Sequence, residues 1–206
     1  MPLLSLTKDN QSAVAIWKIE EQEDQLLNLL TIHDPIPASI THPNKRSEVL
    51  AGKVTTALLL KEFGHTYEGV IKNEHGKPFL KNSSFHLSQS HSFPYVAVII
   101  SAEANVGIDI EQPKKNLAIV APRVFNSAEL AQTGNDLKKL CVYWCAKETL
   151  IKLYGKKDLK LKEEITIDPF SFHTKGNFTG RISRIGHEKY YALHYLVHED
   201  FVLVHN

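Results

Sequence analysis

Cysteine is scarce in this 206-residue chain, and long apolar runs are absent. The two cysteines, Cys141 and Cys145, stand four apart with no second ligand pair at zinc spacing. That excludes a disulfide framework and a zinc knuckle, and leaves both as core thiols. No stretch approaches the length of a membrane span. The opening Met1-Pro2-Leu3-Leu4-Ser5-Leu6 lacks both the basic segment and the sustained apolar core of a secretory leader, so the expected location is cytoplasmic. Neither sign of charge dominates: 24 lysines and arginines against 23 acids leave +1. A balance this even supplies no global field for nucleic acid or an anionic membrane, and any anion must be held locally. The 43% hydrophobic content is that of an ordinary globule, enough for one generous domain or two small ones.

Against this plain background, Val106-Gly107-Ile108-Asp109-Ile110-Glu111 stands out. Strand alternation puts Val106, Ile108 and Ile110 on one face, which reads as core, and Gly107, Asp109 and Glu111 on the other. The two carboxylates lie roughly 7 Å apart at about 3.3 Å of rise per residue, with the glycine leaving space beside them. Like charges that close are easiest to hold around a cation, magnesium first, whereas a solvated acidic edge strand is the plain alternative.

Two long helices are predicted. The first covers about residues 44–63 and ends at Gly64; Lys45 and Arg46 lie near its start, and Lys53, seven residues after Arg46, can share a side with it around a phosphate. The second opens at Gly134-Asn135-Asp136, carries Leu137, Leu140, Cys141, Trp144, Glu148 and Ile151, and stops at Gly155. Glu148 breaks the apolar stripe. A carboxylate on a buried face is costly unless paired or metal-bound. It is therefore read either as the partner of Lys152 at i+4 or as a third acidic ligand beside Asp109 and Glu111. Between them, Asn126 or Ser127 caps a short helix with Glu129 as a favourable first-turn charge. His91, in Ser90-His91-Ser92, reads as a hydrogen-bonded loop histidine or a phosphate donor.

Strands are predicted at residues 13–19, 67–71, 85–92, 95–100 and 106–111, then at 165–167, 170–172, 178–182, 190–197 and 201–204, with a turn at Gly176-Asn177. Residues 102–105 are expected to close a hairpin that brings Ser90-His91-Ser92 and Asp109-Ile110-Glu111 to the same end of one sheet. The expected class is α+β, in two similar lobes, 1–104 and 105–206, meeting along a cleft, which is a common place for a ligand site.

Gly76-Lys77-Pro78, Ser90-His91-Ser92, Val106-Gly107-Ile108-Asp109-Ile110-Glu111, Phe125-Asn126-Ser127-Ala128-Glu129 and Trp144-Cys145-Ala146-Lys147-Glu148 with Lys152 occur in that order. The set resembles the motifs of the 4'-phosphopantetheinyl transferases, more narrowly the surfactin-synthetase-activating type, a single chain of two pseudo-symmetric lobes. The resemblance covers residues 44–156. It implies transfer of the 4'-phosphopantetheine arm of coenzyme A to a serine of an apo acyl or peptidyl carrier protein, releasing adenosine 3',5'-bisphosphate. It further implies Asp109, Glu111 and Glu148 as magnesium ligands, Lys152 on the pyrophosphate, His91, Ser90 and Lys77 toward the phosphates of the adenosine end, and Arg46 or Lys53 toward the 3'-phosphate. Glu148, or Glu129 through water, is implied as the base, with Lys147 orienting Glu148 or assisting at the phosphates. Gly155-Lys156-Lys157 in place of Gly-Lys-Gly, Cys145 and Thr149 in the tryptophan motif, and Lys53 in place of arginine are departures; none removes a metal ligand. A monomer suffices for such a chain, with no nucleic acid or membrane partner.

Two other classes are set against this reading. Magnesium nucleases share an aspartate followed by acids and a lysine, but place the later pair at alternate strand positions, and the neutral charge does not suit a phosphodiester backbone. A catalytically silent coenzyme A or carrier-binding module would lack a metal ligand, and all three are present.

Overall fold

The computed structural model describes residues 2–156 and 158–206. Lys157 of the Gly155-Lys156-Lys157 departure lies outside the described residues. The chain divides into two compact units, Met1–Val106 and Gly107–Asn206, each mixing helix and antiparallel strand in the α+β manner expected. Among the described residues no helix is long and apolar enough to cross a membrane.

The first unit is built on a four-stranded antiparallel sheet in the order β1-β2-β6-β5, from β1 (Leu3–Lys8), β2 (Ser12–Lys18), β5 (His86–Ser92) and β6 (Tyr95–Ser101). All seven residues of β6 are buried, as its position between two strands and under a helix requires. That helix, α2 (Pro43–Glu62), starts with proline at its first turn and ends at Phe63, followed by Gly64 at φ 76°. A short α1 (Glu23–Asn28) packs on α2, and β3 (Val70–Lys72) pairs with β4 (Pro78–Leu80) as a separate two-stranded ribbon. Strand β1 is not visible in the sequence pattern because most of it is exposed at the sheet edge.

The second unit carries a five-stranded antiparallel sheet ordered β7-β11-β10-β9-β8. Its strands are β7 (Ile108–Glu111), β8 (Ile165–Ile167), β9 (Lys175–Arg184), β10 (His187–Val197) and β11 (Val202–His205). Three helices precede β8: α3 (Asn116–Val124), α4 (Ser127–Thr133) and α5 (Leu137–Tyr154). The long α5 is capped by the Asp136 side chain, which accepts from the Lys138 and Lys139 amides, and ends at Gly155 with φ 81°. It packs against the sheet, chiefly on β11 and β7.

Several expectations are corrected. Strand β7 does not form a hairpin with β6; it pairs with β11, so Asp109 faces Val204 and Glu111 faces Val202 across the ladder. The inferred shared sheet end for Ser90-His91-Ser92 and Asp109-Ile110-Glu111 falls with it, since the two segments belong to different sheets. Gly176 and Asn177 lie inside β9 rather than in a turn. Gly176 is small because the Tyr195 ring lies over it, where a Cβ would sit 2.8 Å from Cε1. Residues 170–172 are not a strand: Phe170 stacks on Tyr143 and Phe178 at 5.4 and 4.4 Å between ring centres.

Candidate active site

The acidic face of β7 is not open. A Cβ on Gly107 would lie 2.5 Å from the Thr149 carbonyl oxygen and 2.9 Å from the Leu153 Cγ, so the glycine admits the α5 backbone itself. The helix then runs along the strands, donating to their carbonyls. Cys141 Sγ reaches Glu111 O at 3.7 Å, Cys145 Sγ reaches Val202 O at 3.8 Å, and Thr149 Oγ1 donates to Val204 O at 3.1 Å. Burial, then Cys141 and Asp109, push the Cys145 thiol well up, and both cysteines are free and buried, as expected of core thiols.

At the end of this ladder Lys152 donates to Ile108 O and to Asp109 Oδ1, both at 2.8 Å. Asp109 is only 6% exposed, and this ammonium is its close cation. Lys152 is thus a partner of Asp109, not solely the i+4 partner of Glu148. Burial in the first place, and the charge of Asp109 in the second, push the Glu148 carboxyl up to about 7, with Lys152 opposing. The carboxyl is therefore poised to give or take a proton near neutrality. Glu111 Oε1 accepts from the Gln112 amide at 2.8 Å.

Among the described residues no three histidine, cysteine, aspartate or glutamate side chains converge as a ready metal centre. The donor chemistry nonetheless fits a hard divalent cation. Asp109 and Glu148 are all-oxygen donors whose charges oppose each other, with the positive compensation at Asp109 coming from the Lys152 ammonium.

Glu129 and Lys147 occupy a different place. Asn126 and Glu129 form a reciprocal capping box at α4. Glu129 is 2% exposed and Lys147 1%, and they pair at 2.8 Å. Both side chains are therefore turned into the protein interior and held by each other.

In the first unit the expected phosphate ligands are largely engaged. Arg46 donates through Nε and a terminal nitrogen to both carboxylate oxygens of Glu23 and through Nη1 to Ile40 O. Lys53 is buried, donating to the carbonyls of Asp34 and Pro35 and pairing with the Asp34 carboxylate at 3.0 Å. The two have separate partners: Arg46 ties α2 to the start of α1 and to the Ile40 carbonyl, and Lys53 ties it to the loop at Asp34 and Pro35. Burial disfavours the Asp34 charge, yet the Tyr67 hydroxyl, donating at 2.6 Å, and Lys53 hold its carboxyl below the ordinary range. Tyr67→Phe is expected to cost about 2 kcal/mol in urea unfolding, the loss of a buried hydrogen bond to a charged acceptor. Lys77 Nζ donates to Asn105 Oδ1 at 3.3 Å, and Ser90 is buried within β5. His91 Nδ1 lies 3.2 Å from Glu48 Oε2, which also pairs with Lys45 at 2.8 Å. Glu48 is absent from the sequence reading, although its i+3 spacing from Lys45 was the available signal.

Residues 105–204 match the family model of the 4'-phosphopantetheinyl transferase superfamily. The resemblance read from the ordered motifs is thereby supported at the level of that superfamily. The chain is 29% identical over 130 residues to the 4'-phosphopantetheinyl transferase AcpT of Salmonella typhi, covering 59% of this chain and 66% of the relative. To the AcpT of Escherichia coli O157:H7 it is 32% identical over 119 residues, covering 54% and 59%. The match spans just under two thirds of the length of the first of these relatives and less of the second.

Proposed function

We propose that the protein transfers the 4'-phosphopantetheine group of coenzyme A to a serine of an apo acyl or peptidyl carrier protein, yielding holo carrier protein and adenosine 3',5'-bisphosphate. What supports this reading is the placement of Glu148 in the stretch that the superfamily model matches, near Asp109, whose carboxylate accepts from Lys152 at 2.8 Å, with burial and the Asp109 charge pushing the Glu148 carboxyl up to about 7. A serine hydroxyl is a poor nucleophile at neutral pH and needs a base of about that strength. Glu148 takes the serine proton. Lys152, a compact charge on a flexible stem, leaves Asp109 to neutralise the pyrophosphate as the phosphoanhydride bond breaks. Asp109 and Glu148, with Glu111, would hold magnesium, which when bound supplies electrostatic stabilisation of the phosphates. The phosphate role in the first unit is proposed for His91, with Lys45 beside it and Lys77 and Ser90 as the resemblance implies. The surfactin-synthetase-activating subtype, a single chain acting as a monomer in the cytoplasm, is part of the same proposal, supported by the two α+β units in one chain.

The test is the intact mass of apo acyl and peptidyl carrier proteins after incubation with the protein, coenzyme A and magnesium, beside Glu148→Ala. A gain of one phosphopantetheine, lost with EDTA and in the variant, is expected. No gain on either carrier while coenzyme A still binds would leave the silent-module reading.

A further inference from the structure

We propose that Glu129 and Lys147 form a positioning clasp that fixes the rotation of α5 about its own axis and so sets Glu148 against Asp109; what Glu148 then does rests on the transferase reading above.

The clasp is saturated. Lys147 Nζ donates to Leu161 O at 2.7 Å and to Ile165 O at 2.8 Å, and pairs with Glu129 Oε2 at 2.8 Å, which accounts for all three ammonium hydrogens. Glu129 Oε2 also accepts from the Asn126 amide at 2.9 Å, and Oε1 accepts from the Ile167 amide at 3.0 Å. One ion pair therefore ties α5 to the start of α4, to both ends of β8 and to the turn before it. The Phe125 ring, 5.4 Å from the ammonium, closes one side.

Two charged groups buried this deeply add little net stability over apolar packing, but they are directional. An apolar contact tolerates a small rotation of the helix, whereas an ammonium fixed to two carbonyls and a carboxylate does not. Lys147 and Glu148 are successive residues, about 100° apart around the helix. A rotation of about 10° would move a group 5 to 6 Å from the axis by about 1 Å, a displacement that costs on the order of 100-fold in rate. The clasp holds one flank of α5, and Cys141, Cys145, Thr149 and Lys152 hold the flank facing β7 and β11.

Glu129→Gln keeps the shape and one acceptor while removing the charge that Lys147 faces. Its kcat for carrier modification is expected to fall about 10- to 100-fold, with KM for coenzyme A within about threefold and the acidic limb of the pH profile at the wild-type position. Loss of that limb would make Glu129 the base and overturn the proposal, as would a kcat within twofold of wild type. Hydrogen exchange read by mass spectrometry separates the clasp from the transferase reading. Peptides covering β8 and the middle of α5 should exchange at least about tenfold faster in the variant whether or not wild type transfers phosphopantetheine. Unchanged exchange there overturns the clasp even if transfer is robust. If E129Q does not fold, E129Q/K147M, neutral on both sides, takes its place with the same readouts.

Discussion

Gly107→Ala is expected to abolish the site and to cost about 3 kcal/mol or more of stability. The added methyl would meet the Thr149 carbonyl at 2.5 Å and Leu153 Cγ at 2.9 Å. The nearest atom is helix backbone, which has no rotamer to escape into, so α5 as a whole must lift from β7. Overpacking of this kind costs about 1 to 3 kcal/mol even where side chains can adjust. Lifting α5 also weakens its donations to Ile108 O and Val204 O, each worth about 1 kcal/mol. The same movement separates Glu148 and Lys152 from Asp109. Urea unfolding followed by tryptophan fluorescence, together with the carrier mass assay, checks both halves. A variant with wild-type stability and transfer would show that the close approach of α5 to β7 is not required.

Glu148→Gln is expected to move stability and activity in opposite directions. The carboxyl is raised from 4.5 to about 7 in the folded protein, so between those values the native state binds more protons than the unfolded chain. The penalty on folding is absent below about pH 4.5, grows through the window and is complete above about pH 7. With the group half-buried, the glutamine variant should be more stable than wild type at pH 8 in metal-free buffer by about 2 to 3 kcal/mol, at 1.36 kcal/mol per unit. The difference should close by pH 4.5. Phosphopantetheine transfer should fall by about 10² to 10⁴-fold, the contribution of a positioned general base. Equal stability at both pH values would mean that Glu148 is not held in a raised state. Undiminished transfer would remove it from the chemistry.

How far the sequence carried depends on the kind of interaction involved. Helix α5 was legible from end to end because Asp136 and Gly155 are local signals and the apolar stripe is long. The anomaly of Glu148 within that stripe was legible for the same reason. The pairing of β7 with β11 was not, since nearly a hundred residues separate Asp109 from Val204 and alternation says nothing about which strand is the neighbour. Helix α3 was missed because Pro122 lies in its last turn and its periodicity is short. The partners of the basic residues were hidden for another reason. Arg46 and Lys53 were read as a pair by their spacing on α2, but each is claimed by an acid in a loop or short helix, Glu23 and Asp34, that no helical period connects to them. Glu129 was read as a first-turn charge, which is half of its role; the other half needed Lys147 and the Ile167 amide in space.

The donations from α5 to β7 and β11 have a consequence for how the protein tolerates change. Cys141, Cys145, Thr149 and Lys152 all address main-chain carbonyls, those of Glu111, Val202, Val204 and Ile108. A carbonyl is present whatever residue bears it. The strands can therefore exchange one apolar residue for another of similar volume at Val202, Val204 or Ile108 without losing a partner for the helix. The helix has no such latitude, because each donor is a particular side chain. Sequence drift should accordingly be wide along the strands at these carbonyl-bearing positions and narrow along one stripe of α5, even though both line the same seam.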